Sequence, residues 1–285
     1  MDSSDVIVGV DGSEPGRNAL RWAADEVLRG GGRLRVLLAY HWQPAVQLLP
    51  DDNVDTIVQE RARLAVEQAV AEAWAAAPGI TVAGMVVRAT PAAALLDAAS
   101  GARLLVVGSR SRGGLDGLLR GSVSLHVAAQ VPCPVAVVRG DAHRNAGPVV
   151  VGVKNAASSS MAVGLAFAQA AARGCAILAA HAHTRFAATH THGAAPAEEH
   201  RQRLHHDPAW VVDPWRDKYP HVPVEYAAVA GHPVQVLIAI SHRAQLVVVG
   251  ARGLGARSGP LLGSTSQHLA HRAGCPVLIA HESTR

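Results

Sequence analysis

A repeat of 142 residues constrains the fold of this chain more than any other feature. Three positions of the first half recur at that distance in the second half, as the pairs Gly108 and Gly250, Gly121 and Gly263, and Cys133 and Cys275. Each half also has a segment that begins with Val-Val-Gly, at 106–108 or 248–250, and ends with Cys-Pro-Val, at 133–135 or 275–277. A repeat of this length has the size of a whole domain, so the sequence predicts two domains of one fold. We expect them over residues 1–143 and 147–285, with a linker from Gly140 to Pro148.

Composition limits the classes of protein that the chain can belong to. The 285 residues carry a net charge of +4, and no basic stripe with interleaved aromatic residues is present, which argues against nucleic-acid binding. No apolar run reaches the ~18 residues of a membrane span, and the first residues lack a basic, apolar leader. Three cysteines without a Cys-x-x-Cys motif indicate a reducing compartment. These observations predict a soluble, cytoplasmic protein that does not associate with membranes.

Short apolar runs alternate with helical segments along both halves. In the first half we expect strands over 6–10, 34–39, 81–87, 104–107 and 135–138, with helices over 14–28, 54–76 and 91–99 and another that begins at Ser122. The second half repeats the order, with strands over 149–153, 176–180, 224–229, 246–249 and 277–280 and helices near 159–172, after Pro233 and from Ser264. Strands that are apolar on both faces and alternate with helices indicate a parallel sheet covered on both sides. The predicted class is α/β, as two tandem Rossmann-like domains.

The repeated glycines fall where a parallel sheet binds ligands. Asp11 follows the first strand and Gly108 the fourth, and ligands bind beyond the carboxyl ends of strands at the point where the strand order reverses. Glycines there allow close approach of the backbone, and the helix that begins at Ser122 offers N–H groups and a positive dipole end to an anion. The sequence therefore predicts a phosphate cradle and a nucleotide ligand.

Other phosphate-binding loops do not match. The chain lacks Gly-x-x-x-x-Gly-Lys-Ser/Thr, and its first strand-to-helix turn lacks Gly-x-Gly-x-x-Gly. A P-loop ATPase and a dinucleotide-binding domain are therefore disfavoured. Without the loop lysine or an acidic pair on the loop, no residue is marked as catalytic, although slow hydrolysis stays open.

These residues resemble a known family. Val-Gly-Val-Asp-Gly-Ser at 8–13, together with the glycine loop that runs from Gly108 to Ser122 and again from Gly250 to Ser264, is similar to the universal stress protein family in its tandem, actinobacterial form. The resemblance covers essentially the whole chain. It implies adenine-nucleotide alpha hydrolase-like domains with strand order 3-2-1-4-5, ATP as the ligand with Mg²⁺ or Mn²⁺ as its companion, and dimerisation through the fifth strands. In a tandem chain the two halves would mimic that dimer, and the chain could also form a homodimer.

The resemblance also implies site residues. Gly9 would allow close backbone approach, Asp11 would lie near the ribose or adenine, and Tyr40 and His41 would flank the base. The loop of the first half would surround the phosphates through Gly108, Ser109, Arg110, Ser111, Arg112, Gly113, Gly114, Gly121, Ser122, Val123 and Ser124. The corresponding residues of the second half are Gly152, Gly250, Ala251, Arg252, Gly253, Leu254, Gly255, Ala256, Gly263, Ser264, Thr265 and Ser266.

Each half departs from the family pattern at a different place. Ser111 stands where the second loop glycine is expected, which costs on the order of 1 kcal/mol if that position requires positive φ. In the second half, Lys154 and Asn155 replace Asp11 and Gly12, and a lysine cannot accept hydrogen bonds from a ribose. We therefore expect binding in at least one half, with unequal affinity.

Structural roles remain alternatives for several of these residues. The glycines could serve tight turns alone, Asp11 could belong to a helix N-cap near Ser13, and the loop arginines could be solvated charges. The histidines between His181 and His206 could ligate zinc or nickel, but no partner fixes a geometry and no metal site is predicted. Trp210 and Trp215 are expected to pack on a short helix, and Cys133 and Cys275 to behave as small buried apolar residues.

Three functions compete at this point. The first is an ATP-binding regulator of a stress or dormancy response, without dedicated catalysis. The second is a weak ATP hydrolase. The third is a dimerisation or scaffold module whose nucleotide sites have degenerated, as the replacements at Ser111 and Lys154 would suggest.

Overall fold

Two compact units make up the chain. The computed structural model describes residues 4–40, 51–109, 122–154, 156–183, 208–251 and 261–281. Unit 1 covers Met1–Arg139, and unit 2 covers Gly140–Glu282. The start of the expected linker packs within unit 2, because the backbone N–H of Asp141 donates to the carbonyl of Gly274 at 3.0 Å. Within the described residues, no helix is long and apolar enough to cross a membrane.

Unit 1 alternates strands and helices in the predicted order. Its elements are β1 (Asp5–Gly9), α1 (Glu14–Gly30), β2 (Arg33–Tyr40), α2 (Asp51–Ala76), β3 (Thr81–Arg88), α3 (Pro91–Ala98), β4 (Leu104–Gly108), α4 (Ser122–Gln130) and β5 (Val135–Val138). The inner strands β1 and β4 consist mostly of Val, Leu and Ile, whose branched side chains suit a sheet buried on both faces.

Unit 2 repeats that order. Its elements are β6 (Val149–Gly152), α5 (Ala156–Arg173), β7 (Ile177–His183), α6 (Ala209–Arg216), β8 (Val224–Ala230), α7 (Pro233–Ser241), β9 (Leu246–Gly250), α8 (Ser264–Arg272) and β10 (Val277–Ala280). On α6, Trp215 packs so closely on Gly164 of α5 that a Cβ at Gly164 would overlap its ring. Trp210 does not pack as expected, because 66% of its surface is exposed.

The strands of each unit follow the order that the family resemblance implies. In unit 1 the order is β3-β2-β1-β4-β5, and in unit 2 it is β8-β7-β6-β9-β10. The pairs within each unit are parallel, with Val8 opposite Val36 and Val150 opposite Leu178. The predicted α/β class is confirmed, and the order reverses between β1 and β4 in unit 1 and between β6 and β9 in unit 2.

Helices cover both faces of the unit 1 sheet. Adjacent residues of a strand point to opposite faces, and Gly84 of β3 lies against Val66 of α2, whereas Met85 lines a cavity with Ala98 of α3. The strand residues between the helix layers are buried, with Ile7, Leu105 and Val106 at 0% exposure. This packing fixes the strand ends, where the candidate site lies.

Candidate functional site

A cavity of about 280 Å³ opens at the carboxyl edge of the unit 1 sheet. It lies where β1 and β4 end and where α1 and α4 begin, at the reversal of strand order that the sequence indicated. Its volume is near the lower end of the roughly 300–1,000 Å³ of small-molecule pockets. The lining residues are Gly9, Val10, Asp11, Ser13, Pro15, Gly16, Leu37, Ala39, Pro91, Leu95, Val107, Gly108, Val123 and Ser124.

Asp11 lines the cavity and also orders the turn before α1. Its Oδ1 accepts a hydrogen bond from the backbone N–H of Ser13 at 3.1 Å and another from the Ser13 hydroxyl. The Ser13 Oγ in turn accepts from the N–H of Gly16 at 3.2 Å, which makes Ser13 the N-cap of α1. Gly12, at φ +75°, makes the bend between them. Asp11 thus supports the cap that the alternative interpretation anticipated, and its carboxylate is held at the cavity wall.

Two glycines at strand ends lie in close contact with neighbouring residues, and at Gly108 the packing leaves no room for a side chain. A Cβ on Gly108 would lie 2.5 Å from the carbonyl oxygen of Pro15, which is rigid backbone in the first turn of α1. A Cβ on Gly9 would lie 2.9 Å from Cδ2 of Leu95, a side chain that can move. Gly108 therefore lets β4 approach α1 closely, and this contact brings the walls of the cavity together.

One hydrogen bond recurs in both units at the start of the helix that follows the glycine loop. The Ser124 hydroxyl donates to the carbonyl of Gly108 at 2.9 Å, and the Ser266 hydroxyl donates to the carbonyl of Gly250 at 2.6 Å. Each bond ties the first turn of a helix to the end of the preceding strand. The duplication seen in the sequence is therefore also a duplication of contacts.

Lys154 of unit 2 takes the place of Asp11. The N–H of Val153 donates to the carbonyl of Ala180 at 2.9 Å, as the N–H of Val10 does to that of Leu37, and so the next residues correspond. Lys154 is exposed, and its own N–H donates to the hydroxyl of the buried Ser159 at 3.0 Å. A cation stands at this edge of unit 2 where unit 1 has an anion.

His181 contacts Val153, the residue that follows β6 in unit 2. Its Nδ1 lies 2.9 Å from the carbonyl oxygen of Val153 and donates to it, and the ring is 6% exposed. The ring of His183 stacks on it, with centroids 6.3 Å apart. These two members of the histidine-rich segment thus pack at the end of β7, and the residues from 184 to 207 lie outside the described part of the chain.

Helix α8 begins without a capping side chain from the described residues. Its N-cap is Gly263, whose N–H donates to the carbonyl of Ala251 at 2.7 Å. The first N–H groups of a helix lack partners inside the helix, and Ser264 and Thr265 carry two of them. This end of α8 is suited to an anion.

The structure brings many of the predicted residues to one edge of each sheet. In unit 1, Gly9, Asp11, Gly108, Val123 and Ser124 line the cavity, while Tyr40 ends β2, Ser109 follows β4, and Ser122 begins α4. In unit 2, Gly152 and Gly250 end their strands, Ala251 follows β9, and Ser264, Thr265 and Ser266 open α8. Gly263 is the N-cap of α8. The remaining predicted residues lie outside the described residues: His41, Arg110, Ser111, Arg112, Gly113, Gly114, Gly121, Arg252, Gly253, Leu254, Gly255 and Ala256.

Sequence reasoning missed the apolar part of the cavity. Leu37 and Ala39 come from β2, and Pro91 and Leu95 come from α3. These four residues belong to no sequence motif. The signal that could have found them is their position, since the end of β2 and the start of α3 meet at the same sheet edge as Asp11.

Two cysteines behave as the buried residues that the sequence predicted. Cys133 is 5% exposed and Cys275 is 0% exposed. Burial raises the pKa of the Cys133 thiol to about 11, because the protein interior disfavours the thiolate. Both thiols therefore belong to the buried core, each just before the last strand of its unit.

Comparison with known proteins places the chain in a family. The family model described as universal stress protein family matches residues 4–139 and again 146–281. Relatives include universal stress proteins of Mycobacterium tuberculosis, 33% identical over 98% of this chain and 97% of the relative, and of Mycolicibacterium smegmatis, 33% identical over 96% of each.

A solved structure supports the fold. A universal stress protein from Archaeoglobus fulgidus matches with a TM-score of 0.72 at 19% identity, over 99% of each chain. The two matches of the family model, one in each unit, agree with the repeated strand order and the repeated serine contacts. The chain therefore belongs to the universal stress protein family.

Proposed function

We propose that this protein binds ATP in the unit 1 cavity and acts as a nucleotide-dependent regulator in a stress response. The observation that carries the proposal is the cavity itself, formed at the reversal of strand order between β1 and β4. Leu37, Ala39 and Leu95 give it an apolar wall for a base, and the start of α4 lies at its other side.

The polar groups of the cavity suit different parts of the nucleotide. The Asp11 carboxylate accepts hydrogen bonds and repels phosphate, so its partners in the proposed complex are the ribose hydroxyls. The N-terminus of α4 carries a positive partial charge and takes the phosphates. A divalent cation would be held mainly by the triphosphate oxygens. Asp11 is the one carboxylate among the described lining residues, and a single carboxylate binds such a cation weakly.

The same lining favours binding over catalysis. Asp11 is the one titratable side chain among the lining residues that the structure describes, and its Oδ1 already holds the turn before α1. Phosphoryl transfer uses several positioned charges around the phosphates and a residue that orients the nucleophile. We therefore infer that occupancy of the site by nucleotide, which changes the surface at the sheet edge, is the signal.

Isothermal titration with ATP, ADP, AMP and cyclic AMP tests the proposal. Ala39 lines the cavity, and its counterpart by strand register in unit 2 is Ala182. Ala39→Trp fills the unit 1 cavity and should abolish ATP binding there. Ala182→Trp is the matched control and should leave the unit 1 affinity unchanged. Absence of binding heat with all four nucleotides, or ATP binding by Ala39→Trp equal to that of the unaltered protein, would contradict the proposal.

A further inference from the structure

Unit 1 has a second cavity, away from the candidate nucleotide site. Its volume is about 480 Å³, and it begins at the amino-terminal ends of the strands, where Asp5 starts β1 and Arg33 starts β2. We call it the amino-end groove; its lining residues are Asp5, Arg33, Arg35, Ala83, Met85, Ala98, Ser100, Gly101 and Ala102.

Among the described residues that line the groove, two are arginines and one is an aspartate. Arg33 holds Asp5 in a two-point ion pair, with Nε 3.2 Å from Oδ1 and Nη2 2.8 Å from Oδ2. Arg35 approaches the same carboxylate less closely, with Nη1 3.6 Å from Oδ2. Asp5, Arg33 and Arg35 are the charged residues of the lining, so one carboxylate faces two guanidinium groups.

The second edge of the Arg35 guanidinium meets a weak acceptor. Its Nε and Nη2 lie 3.2 and 2.8 Å from the sulfur of Met85. These two N–H groups match the spacing of two oxygens of a carboxylate or a phosphate, whereas a thioether sulfur accepts hydrogen bonds weakly. The side chain is 29% exposed, so water gives it only partial compensation. An oxyanion would bind this edge more strongly than Met85 does.

We propose that the amino-end groove binds the carboxylate group of a small organic acid through Nε and Nη2 of Arg35. The carboxylate displaces the Met85 sulfur, and its single negative charge balances the charges of the described lining residues, whereas a phosphate dianion would leave a net negative charge. The apolar part of the ligand packs on Ala83, Ala98 and the displaced Met85. This proposal does not depend on nucleotide binding.

Within the described residues, unit 2 has no equivalent of this arrangement. Strand register places Leu178 at the position of Arg35, because Ile177 lies opposite Val149 as Leu34 lies opposite Val6. It places Ala227 at the position of Met85. Unit 2 therefore lacks both the guanidinium donors of Arg35 and the sulfur of Met85 at these positions, and the proposed site is a property of unit 1.

Methyl NMR of the full chain tests the proposal. Protein labelled with ¹³C at the methionine methyl groups gives a Met85 signal in the groove and a Met161 signal on α5 as an internal reference. We expect a saturable shift of the Met85 signal on titration with butyrate, and none with its neutral isostere butyramide. Arg35→Gln should remove the shift, and Arg35→Lys, which keeps the charge but loses the planar pair of donors, should weaken binding by about tenfold.

Four results would overturn the proposal. They are a Met85 signal that butyrate does not move, an equal response to butyramide, a response to inorganic phosphate but not to butyrate, and an Arg35→Lys variant that binds butyrate as tightly as the unaltered protein does. The dispersion of the methyl signals establishes that each variant is folded. If Arg35→Gln fails this control, the comparison with Arg35→Lys decides.

Discussion

Replacing Gly108 with alanine should destabilise unit 1 by a predictable amount. The added Cβ would lie 2.5 Å from the Pro15 carbonyl oxygen, where 3.4 Å is ordinary contact, so about 0.9 Å of separation is missing. The atoms in the way are backbone atoms of Pro15 and Gly16 at the start of α1, and they cannot change rotamer. Overpacking of this kind costs typically about 1–3 kcal/mol. For a domain of this size the expected fall in melting temperature is roughly 3–12 °C.

Differential scanning calorimetry measures this effect, and Gly9→Ala serves as the control. The Cβ at Gly9 would meet Cδ2 of Leu95 at 2.9 Å, and that side chain can rotate. We expect Gly9→Ala to lower the melting temperature clearly less than Gly108→Ala, and the unit 2 transition to stay unchanged in both, where the two transitions are resolved. A Gly108→Ala protein as stable as the unaltered one, or a larger loss in Gly9→Ala, would refute the argument from the rigid contact.

Further predictions concern hydrogen bonding, pH and affinity. Ser124→Ala and Ser266→Ala should each cost about 1 kcal/mol in urea unfolding, with the larger loss at Ser266, which is 3% exposed; no loss in either would count against the duplicated contact. The free energy of unfolding should fall by about 1.4 kcal/mol per pH unit between pH 9.0, the ordinary pKa of the Cys133 thiol, and about pH 11, its pKa in the folded protein. The unfolded state releases the thiol proton first in this range. Urea unfolding of Cys133→Ala over that range should lack this contribution, and an unchanged slope would contradict it. Asp11→Asn keeps the acceptor for the turn but loses the charge, so the affinity for adenosine, which has no phosphate for the carboxylate to repel, should fall about fivefold in calorimetry; unchanged adenosine affinity would exclude Asp11 from the ribose contact.

Most elements could be predicted from the pattern of apolar runs, and the differences have local causes. The last strand of unit 1, Val135–Val138, is as predicted. Strand β1 begins one residue before the expected start at Val6, because Asp5 pairs with Arg33 in the sheet. A search for apolar runs does not include a charged residue such as Asp5. Strand β7 continues to His183 because that residue pairs with Ala230 on β8.

The sequence was sufficient to predict the edge of the sheet at which the site lies, but not how the walls of the cavity pack. The repeat and the residues after each strand were sufficient to place Asp11 and Gly108 together. The contact of Gly108 with Pro15, the apolar wall from Leu95, and the Arg35 contact with Met85 join segments that are distant in sequence. Such contacts depend on how helices pack on the sheet, and no spacing rule along the chain encodes them.

A crystal structure of the protein with ATP would show whether the unit 1 cavity is the nucleotide site. We expect the adenosine in that cavity, with a ribose hydroxyl within hydrogen-bonding distance of the Asp11 carboxylate and the phosphates at the N-terminus of α4. Nucleotide bound elsewhere in unit 1, or an Asp11 carboxylate directed at the phosphates, would contradict it.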